Sequence, residues 1–314
     1  MWSRFALMTV PTIRIGTRGS KLALTQSGHV RDAIARAAPG AEVVLERVVT
    51  SGDRIQDRRL TEIGGKALFT KEIEEALLEG RIDCAVHSMK DVPAEEVPGL
   101  VIAAIPERED PRDAFLSPVH ASLEALPRRA RLGTASLRRA AQALHRRPDL
   151  EIVPLRGNVD TRLAKMEAGE ADAILLAASG LNRLGLSHLP RDLIDPVSCP
   201  PAAAQGALAI QVRVETADAP WLAALRHAPT MLAVAAERGV LEVLEGSCRT
   251  AIGAHAVVQG GRLRLVAEAL TPDGARRFRR EGEMVASEGE DAARELGRRL
   301  GEAIGIEAGD ALVG

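Results

Sequence analysis

The feature that most constrains this chain is an alternation of short apolar runs with segments of helical period. Glu42–Thr50 (EVVLERVVT), Ile82–His87, Leu100–Ile105, Glu151–Leu155 and Ala171–Ala177 read as strands. Thr70 to Glu79, Ser136–His145 and Val159–Ala168 read as helices set among them. Short apolar runs bounded by turn formers suit buried strands, and helical crossovers between them give a partly parallel sheet. The expected fold class is therefore α/β. Thr70 is placed to cap its helix, with Glu72 and Glu74 in the favourable first turn and Gly80 as the stop.

Two proline-rich stretches break the pattern, the charged Pro106–Pro111 (PEREDP) and a second near Pro220–Pro229. Beyond the second come a long helix (Met231–Leu244), two or three strands between Ile252 and Val285, and an amphipathic helix, Asp291–Ile304. That order suggests a separate small α+β domain. A chain of 314 residues has room for two or three domains. No fixed-period repeat and no low-complexity segment is present.

Composition removes several function classes. Lys and Arg number 41 against 43 Asp and Glu, which argues against a surface that grips nucleic acid throughout. Aromatics are 2% with no Tyr, so base-stacking platforms are nearly excluded. The apolar runs fall far short of the roughly 20 residues that span a bilayer. The cysteines, Cys84, Cys199 and Cys248, are odd in number and form no CxxC pair. Neither a disulfide framework nor a zinc site is expected, and the compartment reads as reducing. Met1 to Val10 lacks a long apolar core and a cleavage site, so it reads as a ragged start rather than a signal peptide.

The near-neutral total hides an asymmetry. Between Arg128 and Lys165 the net charge is +7 in 38 residues, so the remainder carries −9. A concentrated positive field points to an anionic ligand. Arg138 and Arg139 follow Gly133-Thr134-Ala135-Ser136 at a strand-to-helix turn, and Arg156-Gly157-Asn158 sits at the next strand end. Ligands of open α/β sheets bind at such strand ends, near helix N-termini that favour anions. The guanidinium fork also matches carboxylates. Arg128, Arg129, Arg146 and Arg147 are expected to be solvated surface charge. Gly64-Gly65-Lys66 invites a phosphate-loop reading, but Leu60 and Ala67 occupy the positions that need Gly and Ser or Thr.

Seven segments in order carry a resemblance: Ile15 to Leu24 (IGTRGSKLAL), Ile63 to Phe69 (IGGKALF), His87 to Pro93 (HSMKDVP), Gly133 to Arg139, Leu155 to Val159 (LRGNV), Pro201 to Leu208, and Gly246 to Arg249 (GSCR). On these the chain resembles the hydroxymethylbilane synthase, or porphobilinogen deaminase, family over nearly its whole length. The resemblance implies an enzyme that joins four porphobilinogen molecules head to tail, losing ammonia at each step, to give linear hydroxymethylbilane. It implies a covalent dipyrromethane cofactor, one per chain, held by a thioether and made from the enzyme's own substrate. It implies two α/β domains like the halves of a solute-binding protein around a cleft, 12–106 with 207–224 and 112–200. A small α+β domain, 229–314, would follow. A cytoplasmic monomer without metal, membrane or nucleic-acid partner is expected.

The resemblance also assigns roles by position. Asp91 is the expected catalytic carboxylate and Cys248 the attachment thiol. Ser88, Lys90, Thr134, Ser136, Arg138 and Arg139 fall on the cofactor side. Arg18, Ser20, Gln26, Arg156, Arg162, Arg183 and Gln205 fall on the substrate side, while Lys66 and Phe69 belong to a lid segment. The residue chemistry agrees. Each porphobilinogen carries an acetate and a propionate, so the growing chain is a polyanion that needs a row of guanidiniums. Loss of ammonia leaves positive charge on a pyrrole, which a carboxylate such as Asp91 can stabilise. A flexible, electropositive loop around Cys248 favours thiolate. Cys84 and Cys199 read as ordinary buried thiols.

Six positions depart from the pattern: Glu62 stands for Lys, Ala67 and Ala204 for Gly, Ala135 for Ser, Gln211 for Glu and Ala251 for Pro. Two rival readings remain open to test. One is a non-enzymatic binding protein for a small dicarboxylate. The other is a regulator that binds nucleic acid through its basic domain, with steep salt dependence.

Overall fold

The computed structural model describes residues 11–51, 70–95, 97–244 and 250–312. The lid residues Lys66 and Phe69 and the thiol Cys248 lie outside them. The first stretch runs β1 (Thr12–Thr17), α1 (Lys21–Ala37), β2 (Glu42–Arg47), α2 (Lys71–Leu78), β3 (Cys84–Ser88) and β4 (Leu100–Ala104). The second runs β5 (Asp113–Leu116), β6 (Arg131–Gly133), α3 (Leu137–Arg146), β7 (Glu151–Val153), α4 (Val159–Glu167), β8 (Ala173–Ala177), α5 (Ala178–Arg183) and β9 (Asp192–Leu193). Then come β10 (Leu208–Arg213), α6 (Pro220–Ala223), α7 (Ala228–Leu244), β11 (Ala251–Gln259), β12 (Arg262–Leu270), β13 (Arg277–Val285) and α8 (Gly289–Ala308).

Two five-stranded sheets repeat one plan. The first has the order β2-β1-β3-β10-β4 and the second β7-β6-β8-β5-β9. In each, three parallel strands are followed by one antiparallel strand and then an edge strand. The antiparallel strand is β10 in the first and β5 in the second, and each directly follows a segment crossing between the sheets. The duplication is topological, which is why no sequence repeat reveals it. The expected pair of α/β domains with a small α+β domain is present.

Each sheet buries alternate residues against its helices. Ile13 and Ile15 of β1 meet Val30 and Ile34 of α1, while Ile73, Ala76 and Leu77 of α2 close the opposite face with Ile82 and Leu100. A fully buried side chain of this kind contributes about 1.5–3 kcal/mol. The third sheet, β11-β12-β13, is a meander covered by α7 and α8. These two helices pack closely at Gly297, where a Cβ would collide with the Ala236 carbonyl and sit 3.0 Å from Gly239 Cα.

Local differences from the sequence reading have physical causes. Thr70 occupies the N-cap position of α2, but its backbone is already helical (φ −114°, ψ −30°) and its side chain makes no capping bond. The strand expected through Leu155 ends at Val153, because the chain must turn to raise Arg156 and Gly157, the latter at φ +117°. The last helix extends beyond both expected ends, from Gly289 to Ala308.

Candidate active site

The first domain's contribution is built at the carboxyl end of β3. Met89 is 2% exposed and its amide donates to the Ala207 carbonyl at 3.0 Å. A 3-10 turn over Met89–Asp91 follows, so Lys90 and Asp91 project from a pinned loop. Arg238 of α7 fixes the exit by donating to the carbonyls of Val92 (3.2 Å), Pro93 (2.7 Å) and Ala94 (3.3 Å). Ser88 pairs with Gln26 of α1 at 3.1 Å. Ser20 caps α1 by accepting from the Ala23 amide, and Arg18 stands in the turn before it, within electrostatic reach of His87.

The second domain answers with its own strand ends. Ser136 caps α3 through the Arg139 amide, and the Thr134 hydroxyl accepts from the Ser136 amide at 3.1 Å. Arg138 and Arg139 are each 6% exposed and converge on one carboxylate, Asp113 at the start of β5. Arg138 Nη1 lies 2.7 Å from Asp113 Oδ2. Arg139 approaches Oδ1 with Nη2 at 2.7 Å and Nε at 3.1 Å. Burial opposes the charge on Asp113, but the two guanidiniums outweigh it and hold the acid well below the usual carboxylate range. After β7, Asn158 caps α4 by accepting from the Thr161 amide, and Arg162 Nε donates to the Gly157 carbonyl at 2.8 Å. Arg162 has its pKa lowered by burial and by the like charges of Arg139 and Arg156. Arg183 on α5 donates to the Gly206 carbonyl at 2.6 Å, and burial pushes its pKa down to about 10.

Gln205, fully buried between the sheets, joins the two halves. Its Oε1 accepts from Lys90 Nζ at 3.3 Å and from Arg139 Nη2 at 3.4 Å. Its amide donates to Asp113 Oδ1 and the Pro111 carbonyl, each at 2.8 Å. Gly206 beside it stands at φ +90°, and any Cβ there would collide with the Glu109 carbonyl of the other crossing segment. Lys90 feels Asp91, Arg139, Asp113 and Arg138, and burial pushes its pKa down to about 8. Arg162 of the second domain feels Asp91 of the first. The structure thus brings Arg18, Lys90, Asp91, Arg138, Arg139, Arg156, Arg162, Arg183 and Gln205 into one linked set, while Ser88 bonds to Gln26 beside it. Ser20, Gln26, Thr134 and Ser136 act in it as caps and supports.

Some participants were not foreseen. Asp113 could have been suspected as a lone carboxylate opening an apolar run, Asp113–Leu116, just after a proline. Gln142 could not: it sits on α3 bridging Arg138 Nη1 (2.8 Å) and Glu268 of the third sheet (2.7 Å). Glu237 of α7 is fully buried and binds Arg108 with both oxygens, at 2.6 and 3.0 Å. Glu237 also accepts from the amides of Ala204 (2.5 Å) and Ala256 (2.7 Å). The expectation of solvated charge holds for Arg129, whose side chain is 80% exposed. It fails for Arg147, which binds Asp149 and the carbonyls of Leu123 and Leu126, tying down the loop ahead of β6. Ala204, where glycine is expected, stands at φ +60°, the left-handed region that glycine occupies without cost.

Two topologically matched α/β domains, whose strand ends meet across an arginine-rich, buried polar junction, define a two-domain protein for anionic ligands, here with a third domain attached. The chain belongs to the porphobilinogen deaminase family. Residues 13–220 match the profile described as "Porphobilinogen deaminase, dipyromethane cofactor binding domain", and residues 231–305 match "Porphobilinogen deaminase, C-terminal domain". The chain is 65% identical to a porphobilinogen deaminase of Caulobacter vibrioides, covering 96% of this chain and 98% of that one. It is 64% identical to one from Caulobacter sp. strain K31, over 98% and 99% of the two chains. It is 48% identical to one from Burkholderia mallei, over 96% and 92%. Among solved structures, immunogenic lipoprotein A from Vibrio vulnificus matches with a TM-score of 0.43 and 12% identity, over 69% of this chain and 96% of that one. Among the described residues no helix is long and apolar enough to cross a membrane, and no group of His, Cys, Asp or Glu is arranged to hold a metal ion.

The residues fit a dipyrromethane, whose rings carry carboxylate side chains. The linked set holds many more guanidinium and ammonium groups than carboxylates, Asp91 and Asp113 being the acids at its centre. Arg138 Nε is buried and makes no hydrogen bond. A buried cationic donor without an acceptor costs about 1–3 kcal/mol, and a carboxylate is the kind of group that would satisfy it.

Proposed function

We propose that this chain is a hydroxymethylbilane synthase. It condenses four porphobilinogen molecules head to tail with release of ammonia, on a dipyrromethane held through Cys248, and acts as a cytoplasmic monomer without nucleic-acid or membrane partners. The observation that carries this reading is a single electrostatic field shared by Asp91 of one domain and Arg139, Arg156 and Arg162 of the other. A carboxylate opposite a cationic wall suits a substrate that is anionic at its side chains and becomes cationic at its ring.

Each residue then has a task that follows from its chemistry. Arg156, Arg162, Arg183 and Arg18 bind the acetate and propionate of incoming porphobilinogen by charge-assisted hydrogen bonds. Lys90, Arg138 and Arg139, supported by Thr134, Ser136 and Ser88, hold the carboxylates of the resident dipyrromethane. When bound, that group supplies the free pyrrole carbon to which the first substrate is joined. Asp91 stabilises the positive charge that spreads onto the substrate pyrrole as its aminomethyl carbon loses ammonia. It stays opposed to that charge until the new carbon–carbon bond forms and the ring proton is released. Cys248 lies in Gly246-Ser247-Cys248-Arg249, where the neighbouring guanidinium favours the thiolate that forms the thioether. Gln205 keeps Lys90 and Arg139 in register across the domain junction.

The test combines mass and kinetics. Purified protein is expected to carry a covalent dipyrrole adduct that Cys248→Ala lacks and Cys84→Ala keeps. With preformed hydroxymethylbilane used to load the cofactor, Asp91→Asn is expected to slow single turnovers of porphobilinogen by 10²–10³-fold or more, the usual cost of removing a preorganised electrostatic group. Asp91→Glu should keep a trace of activity. A wild-type protein without adduct, binding small dicarboxylates and consuming no porphobilinogen, would be the non-enzymatic binder instead. Consumption by loaded Asp91→Asn within tenfold of wild type would remove Asp91 from the mechanism.

A further inference from the structure

The third domain meets the helix of the arginine pair, α3, through two residues one turn apart. His145 Nδ1 lies 2.8 Å from the carbonyl of Gly274, in the turn between β12 and β13. A Cβ at Gly274 would come within 2.5 Å of the Ala141 carbonyl, so the turn seats flush on the helix. Gln142 Nε2 donates to Glu268 Oε1 of β12 at 2.7 Å and to the Pro200 carbonyl at 2.8 Å. That carbonyl presses on β11, where a Cβ at Gly253 would sit 2.5 Å from it. Gln142 and Glu268 are both buried. Glu268 Oε2 takes Arg277 Nε at 2.7 Å, its diagonal neighbour across the β12–β13 pair.

The signs of these partners fix the amide. Glu268 and the Pro200 carbonyl only accept, and a guanidinium only donates. Gln142 therefore turns Nε2 toward the first two and Oε1 toward Arg138 Nη1, at 2.8 Å. The flipped amide would set like against like at every contact. Arg138 Nη1 also meets Asp113 Oδ2 at 2.7 Å and the Pro200 carbonyl at 3.3 Å. The guanidinium is thus held from one end, while its buried Nε has no acceptor among the described residues. We propose that Gln142 and Glu268 are positioning residues for the dipyrromethane. Glu268 orients the Gln142 amide, the amide holds Arg138 by Nη1, and Nε is kept as the donor for a cofactor carboxylate.

The inference rests on Arg138 being a cofactor-side residue, and it adds a coupling between domains. Cys248 stands in the chain between α7 and β11, so the third domain supplies both the thiol and Glu268. One buried amide ties that domain to the arginine that meets the same cofactor. Seating the third domain on α3 and aiming Arg138 are then a single event. A guanidinium aimed beforehand spares the ligand the cost of ordering it. Asp113 does not suffice for this, because its two oxygens are divided between Arg138 and Arg139. Methionine at position 142 would match the glutamine in length and leave Glu268 Oε1 and Arg138 Nη1 each short of a partner.

The experiment is a double-mutant cycle on the full chain, produced in cells deprived of porphobilinogen so that it carries no adduct. Hydroxymethylbilane is added over a range of concentrations, and the adduct is counted by intact mass. Gln142→Met is expected to raise the concentration for half loading by about tenfold or more, the effect of losing a hydrogen bond to a charged group. Arg138→Met should raise it at least as far, and Arg138→Met/Gln142→Met no further than Arg138→Met alone. A bond that only holds the domains together would add its full effect to that of Arg138→Met. Glu268→Leu should load as poorly as Gln142→Met, and it completes the same cycle if Gln142→Met does not fold. Glu268→Gln, which can still offer an oxygen to the amide, should load closer to wild type. Melting curves of the unloaded variants report folding. A folded Gln142→Met that loads at an unchanged concentration overturns the proposal, and so does a cycle whose effects add. Wild type that gains no adduct at any concentration overturns the synthase reading itself, and this inference with it.

Discussion

Arg108 and Glu237 form the junction at which all three domains meet, and breaking it should be costly in a specific way. Arg108 lies in the first crossing segment, and its Nε donates to the carbonyl of Gln205 in the second at 2.7 Å. Its fork meets Glu237 of α7 through two bonds, with the side chains 10% and 0% exposed. Arg108→Met would leave a fully buried carboxylate with two backbone amides as partners and, 3.8 Å away, the His255 imidazole, whose pKa burial lowers. Breaking a buried pair from one side costs about 3–5 kcal/mol, a large part of a typical stability of about 5–15 kcal/mol. At roughly 2–4 °C per kcal/mol for domains of about 150–250 residues, melting should fall by about 10 °C. Glu237→Ala should cost at least as much, because it also orphans the amides of Ala204 and Ala256. The assay is thermal melting by circular dichroism, with limited proteolysis to show cleavage in the crossing segments before the sheets. The control is Arg129→Met, which removes a pair exposed by 80% and 49% and should shift melting by less than the equivalent of about 1 kcal/mol. An Arg108→Met protein that melts within 2 °C of wild type would refute the reasoning.

Two further outcomes concern titration. Asp113→Asn leaves Arg138 and Arg139 buried face to face and should destabilise by about 3–5 kcal/mol. Because the folded carboxyl titrates below its ordinary value, wild type carries this stabilisation fully above about pH 4 and loses it on further acidification. A melting series from pH 3 to 7 should therefore show a steeper acid loss in wild type than in Asp113→Asn, whose other lowered carboxyls, among them Asp83, Asp110 and Asp172, still contribute. Lys90, pushed down to about 8 from an ordinary 10.5, penalises the folded state below pH 8, and the penalty is relieved as pH rises between these values. Adduct-free Cys248→Ala protein should gain stability across that window, and Cys248→Ala/Lys90→Met should not; equal slopes would count against it.

How much of this was legible beforehand depends on the range of the interaction. Apolar runs and caps are local, so β3, β4, α3 and α4 were found near their true bounds, and the HSMKDVP and LRGNV segments marked the strand ends that carry Asp91 and Arg156. Helix α1 was missed as an element because its apolar stripe is thin: only Val30 and Ile34 are buried apolar residues along it, with Gln26 and Ser27 between the polar faces. Pairing across distance was invisible. Nothing in the sequence announces that Asp113 will serve Arg138 and Arg139, 25 and 26 residues on, or that Gln205 will reach back 115 residues to Lys90. Nor does the charge of Arg147 reveal that it will be spent on loop carbonyls rather than on solvent.

The role of Asp113 follows from the problem such a site must solve. A wall of guanidiniums repels itself, and the like-charge effect of Arg139 and Arg156 on Arg162 is that repulsion made local. Neutralising every arginine with a fixed carboxylate would remove the strain and the binding power together. The chain instead places one buried carboxylate where it serves two arginines at once. It leaves Arg162 on a backbone carbonyl and Arg138 Nε without an acceptor. Asp113 thus fixes the geometry of Arg138 and Arg139 before any ligand arrives, which lowers the ordering cost of binding. The unneutralised remainder makes ligand and fold stabilise each other, since an anion bound only by the folded state adds to its stability by mass action. Gln205, bonded at once to Asp113, Arg139 and Lys90, carries that arrangement across to the domain that holds Asp91.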